Sequence, residues 1–212
     1  MARRHAQPPR AWGEPRPGPL ARLVAGARLL LGDRASKPRA GLPDLPLALR
    51  RAIPAAGYLA AESEGDHRRA GAAATAAMEA SIRDGDWWAA DIWAHPGLWH
   101  FERAGMALQA TRQARRIGDL RSAAGDPGSA RRYYAEAIDE ARDIGAEHEQ
   151  GLAALGLGRA ALELGDVTTA RRLAGAAETL LARTGAPELE VEAARSLRGQ
   201  EVAVGATTEE AQ

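Results

Sequence analysis

Four of the five tryptophans, Trp87, Trp88, Trp93 and Trp99, fall within thirteen residues. Phe101, the only phenylalanine, follows them, and His95 and His100 are interleaved. Indole and imidazole rings offer stacking, cation–π and hydrogen-bonding contacts, and Trp is strongly enriched in binding hot spots. Two roles fit the cluster. One is a local aromatic core that packs N-terminal helices against the rest of the chain; the other is a surface for a partner or ligand. Trp88, Trp99 and Phe101 do not share one face of a regular helix, so Pro96-Gly97 is expected to break the helix that carries them. A metal centre built from His67, His95 and His100 is not expected, because their spacing matches neither one helical turn nor a zinc-ligand pattern.

Other chemistry is sparse. The chain has no cysteine, which excludes disulfides, thiolate metal sites and a cysteine nucleophile. There is no G-x-x-x-x-G-K-[ST] loop, and the sole lysine, Lys37, lies in a proline-containing linker. Neither G-x-S-x-G nor H-E-x-x-H occurs. Gly151, Gly156 and Gly158 mimic a glycine-rich loop, but they fall inside a helical stretch where small residues serve packing. Glu147, His148 and Glu149 sit at a helix start, where acids favour the dipole. No acid and base pair with a pocket to hold a substrate, so no catalytic residue, metal or cofactor is expected. An enzymatic or small-molecule role has only the Trp/His cluster at 87–101 to stand on.

The elements that position these residues follow from composition. About 50 of the 212 residues are alanine, and aromatic residues make up 4%. Strands favour β-branched and aromatic residues, so this balance points to an all-α chain with closely packed backbones. No stretch approaches 18 consecutive apolar residues, so no membrane-spanning helix is expected. The formal net charge of zero is a cancellation. Residues 1–51 carry 11 basic and 3 acidic residues, a balance of +8, and 8 of the 12 prolines. The remainder carries 17 basic and 25 acidic residues, a balance of −8. Charge and composition change together, which marks a boundary near residue 45. Residues 1–45 read as a basic arm whose start cannot form regular structure. Within it, residues 19–33 read as an amphipathic helix with Leu20, Leu23, Val24, Ala27, Leu30 and Leu31 on one stripe. A basic arm of this kind can contact nucleic acid or anionic membrane; the alternatives are a solvated tail, a helix docked on the main domain, or a targeting segment.

From residue 46 onward a repeat appears. Glycine occupies 65, 85, 105, 125, 145, 165, 185 and 205, eight hits at a spacing of 20. A glycine just past a helix supplies a left-handed cap at little cost. Asp follows at 66, 86, 126 and 166, where its carboxylate caps the next helix, and Pro127 suits a first helical position. Each interval then leaves about 16–18 helical residues. The finer period is 40: GDWWAA (85–90), GDPGSA (125–130) and GDVTTA (165–170) align. The predicted units are 66–105, 106–145 and 146–185, preceded by a helix at 46–64 that carries Pro54. A helix at 187–204 caps the end, and 206–212 should fray.

These residues resemble the tetratricopeptide repeat family. That motif sets Leu-Gly in one helix, a Gly-Asp turn seven residues later, and small residues at two points of the next helix. Leu157, Gly158, Ala161, Gly165, Asp166, Ala170 and Ala177 match it, and Ile117, Gly118, Gly125, Asp126, Ala130 and Ala137 match it one unit earlier. The 40-residue length is similar to the long-repeat variety of kinesin light chains and actinobacterial regulators. The resemblance implies a right-handed solenoid of three helix pairs plus capping helices, acting as a cytoplasmic protein-binding adaptor or regulatory module. It also implies a concave face lined by the first helix of each pair. Mapped onto this chain, that face offers Thr75, Glu79, Ile82 and Arg83, then Arg112, Arg115, Asp119 and Ser122. It continues with Leu152, Leu155, Arg159, Leu162 and Glu163, and ends with Glu192 and Arg195. Arg112, Arg115, Arg159 and Arg195 are expected to grip an acidic peptide or a chain-terminal carboxylate, with the leucines as an apolar pocket. The alternative for these residues is an ordinary solvated face with pairs such as Arg159–Glu163.

Overall fold

The structure, a computed structural model, describes residues 47–200, with side chains from residue 53 onward. The basic arm, its segment 19–33 and the tail 206–212 lie outside the described residues. Eight helices follow one another: α1 (Leu47–Ser63), α2 (His67–Arg83), α3 (Trp87–Arg103), α4 (Ala107–Ala123), α5 (Pro127–Asp143), α6 (Glu147–Glu163), α7 (Val167–Arg183) and α8 (Glu188–Gly199). Among the described residues there is no strand. The fold is all-helical and repeat-like, and α1 to α7 each run 17 residues.

The glycine ruler sets this regularity. The seven glycines from Gly65 to Gly185 all adopt positive φ, between 67° and 82°. At the α2–α3 junction the Gly85 amide donates to the Ile82 carbonyl (3.0 Å) and the Asp86 amide to Ser81 (2.9 Å). The last carbonyls of α2 are thereby satisfied by a left-handed turn. Asp86 then opens the next helix, its carboxylate accepting from the Ala89 amide at 3.0 Å. Asp66, Asp126 and Asp166 do the same for Arg69, Ser129 and Thr169. Pro127 sits at the start of α5 as expected.

Two expectations change. The helix at 87–103 does not break at Pro96-Gly97: α3 is continuous. Pro96 withholds one amide from the carbonyl of Ile92, on a side of the helix where Ile92 is exposed. Gly97 has a packing role instead. Its absent side chain makes room for Gln113 of α4, whose Nε2 would lie 3.0 Å from a Cβ there. The Gln113 amide reaches through to donate to the Ala94 carbonyl at 3.0 Å. At the other end, α8 runs Glu188–Gly199, and residues 201–204 of the expected cap helix lie outside the described residues. Pro187 caps it rather than opening it, and Gln200 is already extended (φ −64°, ψ 109°) just past Gly199.

Each helix packs on the next along the chain, and α4 also packs on α6 and α6 on α8. The even-numbered helices therefore form the more closely packed layer. Small residues allow this. Gly118 of α4 and Gly156 of α6 both lie flat against the Tyr134 ring of α5, where a Cβ would collide. Ala130, Ala137, Ala170 and Ala177 are buried at the positions expected for small residues. The largest apolar cluster lies at the C-terminal end, where Leu155, Leu181, Val191 and Leu197 join Ala174, Ala177 and Ala194.

Candidate functional site

The even layer closes everywhere except at its start. α4 approaches α6, and α6 approaches α8, at backbone distance, whereas α2 and α4 largely lack that approach and are bridged by long side chains. Gln113 is one bridge: buried, it accepts from the Thr75 hydroxyl (3.2 Å) and lies 3.3 Å from Met78 Sδ. Arg116 of α4 to Glu79 of α2 (2.7 Å) is another. Between these bridges and the helix ends a cleft of about 580 Å³ opens, within the ordinary range for a ligand pocket. Met78, Ile82, Leu120 and Ala123 form its apolar floor, and Trp87 from the first turn of α3 stands at its end. Glu79, Arg83, Arg115, Arg116 and Asp119 supply its polar walls.

The walls differ in how committed they are. Arg115 donates to Asp119 (2.9 Å) and to Glu149 of α6 (3.3 Å). Asp119 also accepts from the Tyr134 hydroxyl at 2.8 Å. Burial first, and the Asp119 charge second, push the Tyr134 hydroxyl above its ordinary pKa, so it remains a donor. Arg83 makes no ion pair among the described residues, and neither does Arg159. The wall thus carries cationic donors in excess of its acids.

This arrangement redraws the expected basic row. Arg112 (2.7 Å) and Arg115 both clamp Glu149, which is 5% exposed, so both are used to seat α6 on α4. Arg195 is enclosed by Glu178, Glu188 and Glu192. Of the four arginines only Arg159 makes no ion pair among the described residues, though its charge acts on Asp119, and it forms no pair with Glu163, which is itself exposed. The expected apolar pocket of leucines is filled: Leu155 is core, and Leu152 and Leu162 pack against the same cluster. The sequence reading missed Glu149 and Glu178 as anchors, because their partners come from helices 34 and 17 residues away.

The aromatic cluster divides three ways. Phe101 lies in the core against Gly71, and Trp93 packs edge-on to Tyr58 of α1 at 5.3 Å. Trp87 belongs to the cleft. Trp88 and Trp99 are exposed on the opposite side of α3. His95 turns toward Asp91 and Arg121, away from the other imidazoles. His67 and His100 do meet, with Nδ1 to Nδ1 at 3.0 Å, and His100 Nε2 lies 3.2 Å from the Tyr58 hydroxyl. That hydroxyl donates to Glu62 at 3.3 Å, so His100 Nε2–H donates to Tyr58 and His67 Nδ1–H donates to His100. Burial and the neighbouring His67 hold the His100 pKa below its ordinary value. The structure thus brings His67 and His100 together but not His95. Among the described residues one trio of ligand-type side chains converges, Glu102, Glu136 and Glu140, within 4.8 Å of one another.

No protein-family model matches the chain, and no curated protein matches it either. None of the described helices is long and apolar enough to cross a membrane.

Proposed function

We propose that this chain is a tetratricopeptide-type solenoid that binds a segment of a partner protein in the α2–α4 cleft, as an adaptor or regulatory module without covalent chemistry. The cleft itself is the observation that carries the reading: an apolar floor of peptide-binding size, a tryptophan at one end, and walls whose cations exceed its anions. The tetratricopeptide reading rests on the 20-residue glycine cadence, the aspartate caps at 66, 86, 126 and 166, the uniform 17-residue helices and the closer packing of the even-numbered layer. A layer whose helices approach more closely than those on the other side is the inner layer of a curved array. The cleft then lies on the concave side, and an apolar segment carrying one or two acids is its matching ligand.

The test is selection from a displayed peptide library with the full-length protein. Arg83→Glu/Trp87→Ala changes two exposed cleft residues with no structural ion pair to lose. The reading expects recovered peptides to be apolar and acidic, and to bind this variant at least tenfold more weakly. Identical peptides at identical affinity would reject the cleft as the site.

A further inference from the structure

The outer face of α3 has an internal control. Shifting by 40 residues superimposes α3 on α5 and α7, and the buried positions agree: Ala90, Ala130 and Ala170 are all buried. The exposed positions do not. Where α5 carries Gly128, Arg132 and Asp139, and α7 carries Thr168, Arg172 and Thr179, α3 carries Trp88, Ile92 and Trp99. These three are 76%, 45% and 49% exposed. At spacings of four and seven they lie on one helical stripe. A solvated outer helix would look like α5 or α7; only α3 has the pattern of a covered one.

The surroundings identify the cover. Glu102 stands one turn beyond Trp99 and converges with Glu136 and Glu140 of α5. No arginine or histidine pairs with any of the three among the described residues. Burial and mutual repulsion raise the Glu102 carboxyl above its usual range. An apolar stripe flanked by uncompensated acids fits an apolar helix carrying arginines. The chain holds such a segment at 19–33, with Leu20, Leu23, Leu30 and Leu31 on one stripe and Arg22 and Arg28 beside it. It also enters the body at the right place. Successive helices are antiparallel, so α1 and α3 run the same way, and the Tyr58–Trp93 contact sets them side by side. The 40-residue register puts Leu47, the first residue of α1, level with Trp87, next to Trp88. Thirteen residues, 34–46, link the segment to α1 and can span about 43 Å, far more than one helix diameter. Tethering at that distance gives an effective concentration on the order of millimolar.

We infer that residues 19–33 dock as a helix across Trp88, Ile92 and Trp99 of the same chain, with their arginines over the Glu102–Glu136–Glu140 cluster. The +8 arm is then an integral cover of the body, on the face opposite the α2–α4 cleft. The absence of native cysteine makes a clean reporter possible. In the full-length protein, Ile92→Cys and its register equivalent Arg132→Cys are each labelled with a maleimide, and the rates are compared. The inference expects Ile92→Cys to react at least tenfold more slowly than Arg132→Cys. Adding Leu23→Glu/Leu30→Glu should bring the two rates together without changing that of Arg132→Cys; Leu30→Glu alone serves if the double change lowers helicity. Equal rates in the unaltered arm, or protection that survives the arm substitutions, would overturn it. Protection that grows with protein concentration alongside dimeric sedimentation would also overturn it, in favour of a second copy on this face.

Discussion

At the scale of single residues, Glu149 is the most consequential side chain that resembles none of the motif positions. It sits in the first turn of α6 and takes both Arg112 and Arg115 from α4. A buried carboxylate is tolerable only while it is paired, and removing a partner strands the charge. Arg112→Ala/Arg115→Ala, which removes both partners of Glu149, should therefore destabilise the fold by about 3 kcal/mol, measured by urea denaturation. Arg159→Ala, with no pair to lose, should stay within about 0.5 kcal/mol of wild type. Equal losses in the two variants would refute this division of roles. The same contrast explains what was readable in advance. The family resemblance placed Glu79, Ile82, Arg83, Arg115 and Asp119 on one face, and the cleft gathers all five with Trp87. The neutralisation of Arg112 was not readable, because Glu149 is brought in from another helix; Arg195 meets Glu192 and Glu188 of its own helix as well as Glu178 of α7.

At the scale of elements, helix ends were legible and helix faces less so. A Gly-Asp pair acts locally: the glycine's left-handed φ and the aspartate's cap need no distant partner. The glycine spacing therefore fixed seven junctions, and an aspartate cap reinforced four of them. Pro96-Gly97 misled for the opposite reason, since the role of Gly97 is set by Gln113, sixteen residues on and in another helix. Glycines inside helices thus divide into two classes that only packing separates. Gly156 lies flat against Tyr134, itself held by Gly118 and by its bond to Asp119. Gly156→Ala has nowhere to put its methyl group and should destabilise by about 1–3 kcal/mol. Gly175 in α7 has only Arg198 Cδ near, at 3.8 Å. Gly175→Ala removes unfolded-state freedom without a clash and should stabilise by about 0.5–1 kcal/mol. Thermal unfolding of the two variants checks the pair; a shift of the same sign in both would contradict the packing assignment.

At the scale of the whole molecule, the two ends are held by different forces, and acid should separate them. The C-terminal end is joined by Leu155, Leu181, Val191 and Leu197, which do not titrate, with a partly exposed His148–Glu190 contact at 3.6 Å beside them. The N-terminal end is joined by a relay: His67 of α2, His100 of α3, and Tyr58 and Glu62 of α1. Burial and the Glu62 charge push the Tyr58 hydroxyl up to about 12, so it stays protonated throughout. Trp99 and the Arg103 guanidinium over it close the other side of the imidazoles. Glu62 pulls the His100 pKa up, but burial and His67 outweigh it, and the folded value lies below the ordinary one. The sign follows. Below about pH 6.5 the unfolded chain binds a proton on His100 that the folded chain does not, so stability falls as pH falls. In a linear array each helix pair depends mainly on its neighbours, so this loss stays local. Hydrogen exchange, corrected for intrinsic pH dependence, should show α1–α3 losing protection between pH 7 and pH 5 while α6–α8 keep theirs. His100→Gln, which keeps a donor and an acceptor but does not titrate in that window, should flatten the difference. Loss of protection at both ends in parallel, or an unchanged pH response in His100→Gln, would place the acid sensitivity elsewhere and leave the histidine relay as packing alone.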